Sequence, residues 1–509
     1  MKSLLITILT LSLGLTACNK KKDDKADESK KPNADMQADA TKDPPKPAAP
    51  AFVEVKLANP DDEKVNCYSD SCTVQVVTKK VLEEIEKKEN HKTFKIYLRK
   101  TDNAEYVKTV ANLKWVKKLS IQSASLENLE VLAGLTELEE LDASYLKVGD
   151  GKDEKKLLSL APLKDKKNLK ELRLTSSPVE GFDALADKVG LQKLDLSGTK
   201  VADLKFLEKL VNLEELNISN ATATDLAPLA GLVKLKKLTI VSVPFKDGAP
   251  LAKLTALEML AVSYSTLPEL KHLTGMKSLS ELNLAYAKGD LKDLAPLNEL
   301  TALERLDLSG HKGFEDLNAL TACEKLREVN LSSTALKDVK ALEKCTNLTG
   351  VVIVDSTLAD IAPLGKLAKL ERVDLSRTQV KDLKALKAAV ELKSLSVGGC
   401  PVADFSPIAK LTKLTDVYAS KTAIKDLRAF KGLTELVRLS FSDTAVSDLG
   451  PLSKLEKLWS LSFNGSKVKK ADPILKLPKL SSIYVDKDFP EAEKEKIKKS
   501  LPNASVHVW

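Results

Sequence analysis

The spacing of leucines constrains this chain more than any other feature of it. Aligned on the pattern Leu-x-x-Leu-x-Leu, Leu191-Gln192-Lys193-Leu194-Asp195-Leu196 opens one unit. Leu213, Leu235, Leu257 and Leu279 each open the next, 22 residues later. Leu303 and Leu326 follow after steps of 24 and 23, and Leu348, Leu370, Leu392, Leu414, Leu436, Leu458 and Leu480 return to 22. Upstream, Val116, Leu138 and Leu169 open weaker units, the last after a step of 31 that brings in Lys147 to Lys156. A unit this short cannot bury its apolar face alone, so seventeen of them in series must stack as the turns of a coil.

The chemistry of one turn is legible. Aliphatic residues at the first, fourth and sixth positions give a short strand with one buried face. Ser-x-Thr follows, as in Ser197-Gly198-Thr199, Ser332-Ser333-Thr334 and Ser376-Arg377-Thr378. Its small hydroxyls suit the backbone that leaves a strand. Next comes Val-x-Asp-Leu, with Asp at 203, 225, 247, 338, 360, 382, 404, 426 and 448. Asp is a preferred cap for the orphan N–H groups of a helix start. Pro228, Pro363, Pro407 and Pro451 stand just after it, where proline suits a first helical turn. So few residues per turn leave room only for a short 3-10 or single-turn return.

This pattern resembles the 22-residue leucine-rich repeats of the internalin family, over residues 94–486. The resemblance implies an α/β fold: a right-handed leucine-rich-repeat solenoid, with a parallel sheet on the concave side, short 3-10 or α segments on the convex side, and caps at both ends. It also implies a habit of binding proteins. The sequence departs from internalins in having no cell-wall sorting motif, wall-binding repeat or immunoglobulin-like segment, so no host-receptor role carries over.

Residues 1–17 read as a secretory signal: Lys2, then an apolar stretch from Leu4 to Leu15 that is too short to span a bilayer. Leu15-Thr16-Ala17-Cys18 resembles the lipobox of bacterial lipoproteins, which implies cleavage before Cys18 and its lipidation. Asn19, where Asp would resemble an inner-membrane retention signal, favours the outer membrane. The expected location is the cell envelope, facing the periplasm or the outside. Residues 18–51, rich in Lys, Asp, Ala and Pro, read as a disordered tether. Residues 52–93 read as an N-terminal cap, with strands at 52–57 and 73–77 and a helix at 81–88. Residues 487–509 read as a C-terminal cap of one amphipathic helix and a final strand.

Export points to an oxidising compartment, and Cys67 and Cys72, five apart in the cap, are the disulfide candidate. Cys323 and Cys345 share a core slot with Leu210, Leu232 and Leu254 in other turns, so they are either bridged or two buried thiols. The four histidines, His91, His272, His311 and His507, fall at unrelated positions, and no catalytic or metal-ligand spacing emerges. No phosphate loop is present. The expectation is therefore a non-enzyme with no cofactor and no metal. The formal charge of +8, from 80 basic and 72 acidic residues, is mild and gives no reason to expect nucleic acid.

Function is expected on the outward positions of the concave strands. Most are small or charged, such as Asp195, Asn217, Asp307, Asn330 and Asp374. The exceptions are the partner-binding candidates: Val352 and Val354, then Tyr418, Val437, Trp459 and Tyr484 in four successive turns. Tyr and Trp are frequent binding anchors, and aromatics are only 4% of this chain. Met259, Tyr264 and Tyr286 form a smaller group. The alternative is that the C-terminal cap, through Phe489 and Trp509, folds over the aromatic residues. The leading expectation is a membrane-anchored module that binds a macromolecule, foremost a protein, on its concave face. The other reading is a structural or adhesive envelope component that binds glycan or peptidoglycan.

Overall fold

A computed structural model describes the backbone of three strands, Val65–Tyr68, Ser71–Val74 and Lys95–Leu98, and residues 114–509 apart from 115, 150–154, 268 and 290. Cys18, the signal and the tether lie outside the described residues, as does the expected cap helix at 81–88.

One 21-stranded sheet runs through the described chain. The first two strands pair antiparallel, and every later neighbour is parallel and in register. Leu172, Leu194, Leu216, Leu238 and Leu260 therefore lie side by side across successive strands. A strand here is three residues long, Lys193–Asp195 for example, with its middle residue buried and its ends facing outward. The chain then turns through a residue with positive φ. This place is filled by Gly198, Asn220, Ser242, Tyr264, Tyr286, Gly310 and their equivalents onward to Gly465. The hydroxyl of the Ser-x-Thr motif ties the turn down. Thr199, Thr334, Thr378, Thr422 and Thr444 each donate to the carbonyl three residues back, at 2.6–2.7 Å.

The returns are 3-10 turns such as Lys205–Lys209 and Ala227–Leu229. The recurring aspartates cap them: Asp203, Asp225, Asp247, Asp360 and Asp448 each accept a bond of 2.8 Å from the N–H two residues on. Asp293 and Asp316, in the two lengthened turns, do the same. Each cap contributes about 1 kcal/mol. Inside lies a single apolar core from Val116 to Ile497, of which Leu213, Leu235 and Leu257 are fully buried. Burying one such side chain is worth about 2 kcal/mol.

The 31-residue step is more ordered than a bare loop. Lys147–Val148 pairs with Ser125–Leu126, and Val179–Glu180 pairs with Leu158–Ser159, giving two small side ladders. At the far end, the helix Glu491–Ser500 leads to the strand Ser505–Val508, which pairs with Ser482–Val485 as the expected cap.

Two features of the core are not leucine-like. The slot of Leu210 and Leu232 holds Lys188 and Lys166 in adjacent turns, both almost fully buried. Their ammonium groups donate to Lys164 O and, at 2.6 Å, to Ala133 O. Burial lowers both lysines from their usual range. Further on, the same slot holds Cys323 and Cys345 as free, buried thiols that donate to the Leu297 and Leu320 carbonyls. Burial pushes each thiol up to about 11. Cys400, also free and buried, takes the Thr slot and donates to Leu375 O at 2.9 Å.

Candidate functional site

The outward residues of the strands form columns across the sheet, and through most of its length these columns are charge ladders. Glu139 lies between Lys117 and Lys170, at 2.5 and 2.7 Å, and their hydrogen bonds hold its carboxyl below the usual range. Glu215 lies between Lys193 and Lys237, at 3.1 and 3.3 Å. Burial opposes its ionisation, but the two lysine hydrogen bonds outweigh that and lower it. Glu281–Arg305 and Glu371–Lys393 repeat the arrangement at 2.6 and 2.7 Å. A face of this kind neutralises itself and offers a partner little net charge.

The ladder ends at Asp416 and Arg438, which are paired. Beyond them the floor is uncharged: Ser440, Ser460, Ser462 and Asn464. Its hydroxyls are largely spent on one another. Ser440 bonds Ser420 at 2.7 Å, and the Ser442 and Ser462 hydroxyls cluster with Asn464 Oδ1 at 2.7–3.1 Å, sharing their two hydrogens between each other and the amide oxygen. Over this floor sits a cradle of about 400 Å³ walled by Tyr418, Tyr484 and Trp509, with Arg438 at one side. Tyr418 is 38% and Trp509 71% exposed.

The predicted residues are only partly brought together. Tyr418 and Tyr484 share the cradle, and Tyr484 is half-buried because the His507 ring stacks on it at 4.6 Å. The cap thus covers one tyrosine in part and leaves the cradle open. Phe489 does not reach it; that ring is buried edge-on against Phe463, 5.5 Å away. Trp459, 48% exposed, and the half-buried Val437 adjoin each other at the start of their strands, where Trp459 N–H donates to Val437 O at 2.8 Å. They lie three residues along the strand from the Tyr484 column, about 10 Å away. Val352 and Val354 are half-buried and separated from Tyr418 by the strands Arg372–Asp374 and Ser394–Ser396. Met259 is half-buried, while Tyr264 and Tyr286 are exposed and stacked at 5.3 Å. The antiparallel pair sets Cys67 opposite Cys72.

Sequence reasoning did not foresee Arg438 or the serine floor, and it placed Trp509 in the cap alone. The available signal was the change in outward residues from charged to Ser after Arg438. Among the described residues, no group of three or more His, Cys, Asp or Glu could hold a metal ion.

A family model described as leucine-rich repeats, two copies, matches residues 189–231. No curated protein matches the chain. Among solved structures, a leucine-rich-repeat protein of Leptospira interrogans is 18% identical, with a TM-score of 0.65, covering 80% of this chain and 100% of its own. An internalin, inlF of Listeria monocytogenes, is 23% identical, with a TM-score of 0.52, covering 60% of this chain and 84% of its own. The HAESA receptor-kinase ectodomain of Arabidopsis, solved with a peptide hormone, is 18% identical, with a TM-score of 0.56, covering 79% of this chain and 76% of its own. By its repeats and by these likenesses, the described chain has the internalin-like fold of a leucine-rich-repeat solenoid.

Proposed function

We propose that this chain is a binding module of the bacterial cell envelope, held to the membrane, foremost the outer membrane, by a lipid on Cys18. On this reading residues 18–51 are its tether, and its C-terminal concave face takes a protein partner. The observation that carries the binding site is the change in that face. Charge ladders that neutralise themselves give way, past Arg438, to an uncharged floor with exposed aromatic walls. Tyr418 and Trp509 in an open cradle, with Trp459 and Val437 beside it, are anchors of the kind that dominate protein interfaces. Because the floor hydroxyls already satisfy each other, covering them costs little.

Two further observations agree with a binding role and not an enzymatic one. The recurrent aspartates are occupied in capping backbone N–H groups. Peptide hormones are the partners of the plant receptor ectodomain of similar fold. The Cys67–Cys72 disulfide and the lipid on Cys18 belong to the same proposal, since both follow from export.

Site-specific photo-crosslinking in intact cells tests it, with the crosslinker at Tyr418 or Trp459 and a control at the convex Lys454. A discrete protein adduct at the first two and none at Lys454 supports the module. If the exported, folded protein gives no protein adduct but is retained on isolated peptidoglycan, the structural glycan reading replaces it.

A further inference from the structure

The strand Ser505–Val508 ends the described sheet, and its hydrogen bonds leave one of its sides open. Ser505 N–H donates to Ser481 O at 2.8 Å, and Trp509 N–H donates to Val485 O at 3.0 Å. Peptide groups along a strand alternate in direction. Residues 505, 507 and 509 therefore turn their backbone to Ser482–Val485, the one strand among the described residues that pairs with this edge. Val506 and Val508 each turn an N–H and a C=O the other way, where no described residue meets them.

Such edges are usually blunted by lysine, proline or a bulge, because bare N–H and C=O groups template another strand. Here the lysines stop in the helix Glu491–Ser500, and Ser505-Val506-His507-Val508-Trp509 carries no lysine, proline or acidic side chain. Its apolar side chains are open as well: Val508 is 47% exposed, and Trp509 stands out beside it. The helix closes the core through the fully buried Ile497 and does not pair with the edge. His507 stacks on Tyr484 and Trp509 walls the cradle, so edge and cradle form one continuous surface.

We propose that this edge accepts a strand. The protein partner lays an extended segment beside Ser505–Val508, bonds to the free N–H and C=O groups of Val506 and Val508, and sets an apolar side chain against Trp509. The inference rests on the cradle being the partner's site, and it names the form the partner takes there. Two donors and two acceptors, repeated about 7 Å apart along one line, are complemented by the backbone of another extended chain. A second copy of this chain offers only the same short edge, which falls short of the about 1,200 Å² that a stable interface hides. A partner that also fills the cradle extends the contact beyond the edge.

The test separates the edge from the cradle. The folded protein is titrated with acetyl-Thr-Val-Thr-Val-Thr-Val-amide while hydrogen exchange of the Val506 and Val508 amides is followed. Both should exchange freely at first and slow about tenfold at saturation, with Ser505 and His507 unchanged. The same peptide N-methylated throughout should not bind. Val508→Pro removes one edge N–H and keeps the pairing with Ser482–Val485, so it should weaken the peptide about tenfold, whereas Val508→Thr should not. In cells, the adduct from a crosslinker at Tyr418 should fall about tenfold in Val508→Pro and persist in Val508→Thr. No binding of the peptide by wild type, or equal binding by Val508→Pro, overturns the edge, as does a Tyr418 adduct indifferent to Val508→Pro, which leaves the cradle standing. Peptide binding that depends on the Val508 N–H, with no Tyr418 adduct in wild type, sinks the cradle reading and leaves the edge as a strand acceptor. A wild-type dimer in sedimentation that Val508→Pro abolishes overturns the partner in favour of a second copy.

Discussion

The turns around residues 160–190 and those around 405–489 follow the same repeat but fill it differently. In the first region the slot of Leu210 is occupied by Lys166 and Lys188, whose ammonium groups are dragged into the core and satisfied by single carbonyls. In the second, rings stack from turn to turn: Phe405 on Phe430 at 5.7 Å, Phe441 on Phe463 at 6.1 Å, and Phe463 against Phe489. Aromatic contacts of this kind add about 1 kcal/mol beyond the area they bury. Strands and 3-10 returns recur in both, but core and caps differ: Ser159 and Gly181 stand in the first region where the second has Asp404, Asp426 and Asp448, and the first has one stacked ring pair, Phe182 on Phe206 at 5.7 Å. The phenylalanine-stacked region is also the one beneath the proposed cradle, where a well-packed floor would reduce the ordering cost of binding.

The comparison can be broken by removing the ring at its centre. Phe463→Ala should cost about 4 kcal/mol, since the site is closed on all sides and cannot collapse. Urea unfolding followed by Trp459 fluorescence checks it, and a loss under about 1 kcal/mol would mean that the spine adds little. In the other direction, Lys166→Met with Lys188→Met should stabilise the weaker region by on the order of 1–2 kcal/mol, by removing two desolvated amines. The gain should depend on pH. Both lysines are lowered below 10.5 in the folded chain. Between the lowered values and 10.5 the unfolded chain therefore holds more protons, and wild-type stability rises as pH climbs through that window. The advantage of the Met variant should shrink as pH rises towards 10.5; a gain independent of pH would refute the charge explanation. The finest test uses the shared element. Asp203→Ala and Asp448→Ala should each cost about 1 kcal/mol. Unequal losses, read from hydrogen exchange of the following turns, would show that the same Asp cap is worth more next to one kind of core than the other.

Much of this was legible in the sequence, because a repeat reports the same physics many times. Strand, turn and cap follow from Leu, Ser-x-Thr and Asp at fixed offsets, and each recurs where expected. The lysines at 166 and 188 were also there to be seen: stepping back by 22 from Leu210 lands on Lys188 and then Lys166. What hid them is the expectation that lysine stays at the surface. The cradle was less legible. Tyr418 and Tyr484 could be picked out as outward aromatics, but Trp509 reaches them only through the chain reversal at the helix Glu491–Ser500. Likewise, the mutual bonding of Ser442, Ser462 and Asn464 depends on neighbours a whole turn apart.

The in-register parallel sheet has a mechanical corollary. Each turn touches only the one before and the one after, so a pulling force on one end is borne by a single interface at a time. The solenoid should then yield in steps, each releasing 22 residues, or about 75 Å of extended chain. The turns holding Lys166 and Lys188 would give way at lower load than the phenylalanine-stacked ones. A protein drawn out from that side would lengthen several-fold as a shock absorber while its aromatic end kept its shape.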